Sequence, residues 1–199
     1  MGPQHYAISE AAVLVSALVC LVALTKAGKP LAAVAAGLLG LAGAIGVVRF
    51  GAQRVEALKV VHQLVSQMGG LTAMGLMASQ FILALAPEAS ERRVQWASLG
   101  LIALSLLIAA LEPFAGPAIG VSWLVVLMIA VWILSKNLPL PQALGALALA
   151  SLMLVNALWV RKSAHMTPAF SWHLYHGLVS VWLLGVSGLC LKLKKPGLA

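Results

Sequence analysis

Two histidines three residues apart, His173 and His176, open the last apolar run in the stretch Ser171-Trp172-His173-Leu174-Tyr175-His176-Gly177. On an α-helix, residues at that spacing share a face with about 5–6 Å between Cβ atoms. Both imidazoles can therefore serve one metal ion, or one can bind while the other orients it. A further imidazole, His62, stands near the start of the third apolar run. Three neutral imidazoles and a water form an open zinc site, and zinc there would make the water nucleophilic and polarise a carbonyl oxygen. Glu10 is the candidate base for that water. Ser66, one turn after His62 and on its face, is the candidate donor to the developing oxyanion. Arg49 calls for a carboxylate, Glu10 or Glu112, so Arg49 and Glu112 are the candidates for lining a cofactor or ligand pocket.

Each of these residues also has a structural reading. A lone histidine near a helix end often only meets the interface, whereas two on one face need a shared reason. Arg49 can snorkel to headgroups, although arginine at the bilayer centre costs roughly 2.5–3.5 kcal/mol on insertion scales. A serine at the position of Ser66 usually serves helix packing. Trp123, Trp159 and Trp172 fit an aromatic belt. His5, His165 and Glu56 read as solvated, and Cys20 and Cys190 as small packing residues with no disulfide or zinc pattern.

The elements that position these residues follow from composition. The chain has 199 residues, 62% hydrophobic and 9% charged, with a formal net charge of +8 and a mean hydropathy of +1.01. Soluble domains carry about 25% charged residues, so this chain cannot clothe itself for water. Its basic residues fall singly or in pairs between apolar runs, without the stripe that nucleic acid requires; they read as the ends of spanning helices. A spanning helix needs about 20 apolar residues, and seven runs qualify: 8–25, 31–50, 57–86, 94–111, 119–134, 143–160 and 170–191. The expectation is an all-α integral membrane protein, one seven-helix domain over 1–199, of the bacterial inner membrane. The first run lacks the basic flank of a signal peptide and reads as a helix of the mature protein. Ala36, Gly40 and Ala44 predict close helix approach, and Gly69-Gly70 is a candidate kink.

Counting Lys and Arg in the short loops places the amino terminus outside and the carboxyl terminus in the cytoplasm. Eight basic residues then lie inside (Lys26, Lys29, Arg92, Arg93, Lys136, Lys192, Lys194, Lys195) and five outside (Arg49, Arg54, Lys59, Arg161, Lys162). In that topology Glu10, Arg49, His62, Glu112 and the pair His173/His176 come to one level on the outer side, from five helices. Ionisable side chains inside a span mark function by default.

Seven helices, an N-outside orientation, an early histidine near a serine, and a histidine pair opening the seventh helix resemble the CREST superfamily of membrane hydrolases. That group includes the alkaline ceramidases and the progestin and adipoQ receptors. The resemblance implies hydrolysis of a lipid amide by zinc held on His62, His173 and His176, assisted by Ser66. The chain departs from the family in its HxxH spacing, in placing Ser66 after His62, and in having no aspartate, so a glutamate must substitute. The expected activity is metal-dependent hydrolysis of a lipid amide or ester, with membrane lipids and a small amphipathic substrate as partners and no nucleic acid. Two rivals remain open. One is haem b held between His62 and His173 or His176 for electron transfer. The other is a transporter or lipid-binding receptor that uses Arg49 for an anionic group.

Overall fold

The computed structural model describes residues 3–112, 114–160 and 164–193. Arg161, Lys162, Lys194 and Lys195, which entered the count of loop charges, lie outside the described residues. All seven expected runs form helices: α1 (Tyr6–Lys26), α2 (Pro30–Gly51), α3 (Lys59–Leu85), α4 (Glu91–Leu111), α5 (Ala115–Leu134), α6 (Leu140–Leu158) and α7 (Pro168–Leu191). Each is long and apolar enough to cross a membrane, which fits an integral membrane protein.

The turns follow local chemistry. Gly28, at φ 66°, takes the left-handed position after α1, and the Lys29 amide donates to the Leu24 carbonyl at 2.9 Å. Glycine favours that post-helical position because it has no Cβ to clash. Pro30 then starts α2, where a missing N–H costs nothing. At the start of α7, Thr167 Oγ1 accepts from the Phe170 amide at 3.3 Å, with Pro168 in the first turn. The diglycine in α3 breaks nothing, since the helix runs unbroken from Lys59 to Leu85.

Packing contacts trace a closed ring of six helices in the order α1, α2, α3, α5, α6, α7 and back to α1. α4 lies outside this ring, against α3 and α5, and Leu101, Leu104 and Leu107 on it are exposed to what would be lipid. The core contains Leu24, Met77, Phe81, Leu124, Leu127, Trp182 and Leu183. α1 and α2 approach closely along Gly40, Gly43 and Gly46, and the expected stripe Ala36, Gly40 and Ala44 also faces α1, opposite Leu14, Ala17, Leu18 and Leu21. A Cβ on Gly40 would sit 3.0 Å from Ala17, and one on Gly43 3.0 Å from the Glu10 backbone. A Cβ on Gly46 would overlap the Glu10 carboxyl group itself.

Candidate acid–base site

Four helices bring one ionisable side chain each to the amino-terminal end of the bundle: Glu10 from α1, Arg49 from α2, His62 from α3 and His176 from α7. All four are buried, Glu10 to 2% exposure. The absence of a side chain at Gly46 is what lets the Glu10 carboxyl lie flat against α2. Glu10 Oε1 is 3.3 Å from His62 Nε2 and 3.3 Å from His176 Nε2, yet it makes no hydrogen bond of good geometry.

The partners of the imidazoles settle which nitrogen carries the proton. Arg49 Nη1 lies 3.1 Å from His62 Nδ1. A guanidinium only donates, so His62 Nδ1 accepts and its Nε2 bears hydrogen toward Glu10. Arg49 Nε donates to the Val55 carbonyl at 2.9 Å, which fixes the guanidinium to the loop before α3. His176 Nδ1 donates to the Trp172 carbonyl at 2.8 Å, leaving Nε2 to face Glu10. Glu10 Oε1 thus stands between the Nε2 atoms of His62 and His176. Arg49, His62, Glu10 and His176 form an ordered chain of contacts that starts at a fixed cation.

Three rings cover this chain. Tyr6, Phe50 and Trp172 touch one another at centroid distances of 5.2–5.4 Å. Phe50 sets its edge on His62 at 6.0 Å, and Trp172 tilts over His176 at 4.7 Å. Trp172 therefore packs in the site instead of standing in a peripheral belt; Trp159, 68% exposed, fits the belt.

The three histidines expected to share zinc do not meet. His173 turns to His5, with Nε2 and Nδ1 2.8 Å apart, and His5 is thereby engaged rather than simply solvated. Among the described residues no group of three or more His, Cys, Asp or Glu is placed to hold a metal ion. The Nε2 of neutral His62, protonated because Arg49 occupies Nδ1, has no lone pair to offer one. Zinc thus does not fit the arrangement.

Glu112 is exposed at the end of α4, a helix with no extensive contact to α1, α2 or α7. It does not pair with Arg49, which reaches its carboxylate, Glu10, only through His62. Ser66 is part-exposed on α3 and makes no side-chain hydrogen bond among the described residues. Of the candidates singled out in the sequence, the structure brings Glu10, Arg49, His62 and His176 together, and beside them stand Gly46, Tyr6 and Phe50, which were not singled out. A signal for Gly46 was present in the three-residue glycine spacing of α2, and Phe50 directly follows Arg49. Comparison with known proteins returns no matching family model, no similar characterised protein and no similar solved structure.

Proposed function

We propose that this chain is a membrane-embedded hydrolase of lipid amides or esters, working by acid–base chemistry at the end of the bundle that faces the outside. The observation that carries the reading is the buried Glu10 carboxyl placed between two imidazole nitrogens drawn from different helices. Charged groups cost several kcal/mol to bury, and this one sits among partners able to exchange a proton. The depth, about one turn into α1, suits a carbonyl just below a lipid headgroup.

In the proposed reaction the Glu10–His176 pair takes a proton from water as its oxygen attacks the lipid carbonyl carbon. The carbonyl π electrons move to oxygen, giving a tetrahedral oxyanion. Its collapse breaks the bond to the leaving nitrogen or oxygen, which receives the proton from the same pair. A fatty acid and an amine or alcohol result. His62, held by Arg49 with its Nε2 hydrogen toward Glu10, keeps the carboxyl in place. Release of fatty acid from N-acyl and O-acyl lipids in mixed micelles tests the reading. Wild-type release that Glu10→Gln abolishes supports it; no release across both classes overturns it.

A second reading is favoured by the ring cap, which closes the cluster on its exposed side. In that reading a proton held by the cluster is cargo, and the protein is a proton-coupled transporter. Proton uptake into vesicles carrying the wild type, absent with Glu10→Gln and without lipid cleavage, distinguishes it.

A further inference from the structure

Directly beside the ring cap is a cleft of about 600 Å³, bounded by His5 and Tyr6 on one side and by Thr167 to Phe170 with His173 on the other. That volume is in the range of small-molecule sites. Tyr6 belongs to both features: it lines the cleft, and it stacks on Trp172, which covers His176. The cleft is therefore separated from the acid–base site by the stacked Tyr6 and Trp172 rings. Its polar groups are two imidazoles, a phenol and a threonine hydroxyl, with no carboxylate among them. Phe170, 58% exposed, forms an apolar edge. These groups can hydrogen-bond to hydroxyl or phosphate oxygens.

We propose that this cleft is the headgroup subsite for the substrate lipid, taking a head that presents hydroxyl or phosphate oxygens to the imidazoles and hydroxyls lining it. The assignment rests on the hydrolase reading for the nature of its ligand. A head seated there would leave the acyl carbonyl to pass Tyr6 and Trp172 to reach Glu10, so these two rings are the partition between binding and chemistry.

The test is photolabelling of the full chain in lipid nanodiscs with three N-acyl probes carrying a diazirine near a hydroxyl head, near a phosphate head or, as the control, at the same place with no head. Labelled peptides are mapped by mass spectrometry. The expected result is labelling of residues 5–6 and 167–173 by the hydroxyl or the phosphate probe, at least fivefold above the headless probe. Ala169→Trp, which fills the cleft, and His5→Leu, which removes one imidazole, should each cut that labelling at least fivefold in protein that remains folded by its thermal midpoint. Labelling spread over lipid-facing helices, equal labelling by the headless probe, or labelling indifferent to both substitutions would overturn the assignment. Because labelling needs no turnover, labelling of the cleft without lipid cleavage sinks the hydrolase and leaves the subsite standing. Glu10-dependent cleavage with labelling elsewhere does the opposite.

Discussion

The two ends of the bundle each bury an ionisable group, and they do so differently. At the end opposite the candidate site, Lys29 is 7% exposed and its Nζ donates to the Leu193 carbonyl at 2.8 Å. Leu193 lies just past the end of α7, where the helix dipole is negative and carbonyls lack partners. One fixed donor meets one fixed acceptor, tying the α1–α2 turn to α7. At the amino-terminal end, Glu10 meets two groups that can gain or lose a proton, and a third, Arg49, acts through one of them. The comparison separates a charge used as a fastener from a charge placed for chemistry. The fastener needs a backbone partner; the working charge needs titratable partners converging from several helices.

The largest effect that would sharpen this contrast is on turnover. Glu10→Gln keeps the shape of the side chain and removes its exchangeable charge, so lipid cleavage should fall by about 10²–10⁴-fold, the usual weight of a general acid–base group. Lys29→Met should leave cleavage per folded molecule unchanged and lower stability by about 1–3 kcal/mol, the cost of stranding a buried partner. Fatty-acid release and thermal unfolding in detergent, measured on both variants, decide it. If Lys29→Met lost turnover as Glu10→Gln does, the distinction between the ends would collapse.

Next comes packing. Gly46→Ala places a Cβ on the Glu10 carboxyl, whereas Gly188→Ala, toward the opposite end on α7, meets nothing within 4 Å. Overpacking costs about 1–3 kcal/mol, while an alanine in an open helical position gains about 0.5–1 kcal/mol over glycine. The two midpoints should therefore move in opposite directions, and Gly46→Ala should lose activity beyond its loss of folded protein.

Much of this was legible in the sequence because a bilayer makes composition decisive: seven apolar runs had to be seven helices, with ends marked by Lys26-Ala27-Gly28 and Thr167-Pro168. Glu10, Arg49, His62 and His176 stood out for a related reason, since ionisable residues within such runs require partners. What could not be read was the rotation of each helix about its axis. Helices that are apolar all round lack a polar stripe to set their facing, so His173 and His176 looked equivalent although one faces Glu10 and the other His5. The position of α4 outside the ring, which removes Glu112 from the site, was hidden likewise. Neighbours in sequence here are not all neighbours in the ring.

The smallest effect bears on that pair. If His173 were a ligand equal to His176, replacing either with glutamine would cost the same, and each would release a bound metal. The geometry sets them apart: His176 Nε2 faces the Glu10 carboxyl at 3.3 Å, while His173 makes one part-buried hydrogen bond to His5. A typical hydrogen bond contributes about 0.5–1.5 kcal/mol net, so His173→Gln should change turnover by no more than roughly tenfold, mainly through KM. His176→Gln should lose nearly as much as Glu10→Gln, mainly in kcat. Elemental analysis should find no metal near one equivalent in the wild type or in either variant. Equal losses accompanied by loss of one equivalent of zinc would restore the three-histidine centre and remove the Arg49–His62 argument with it.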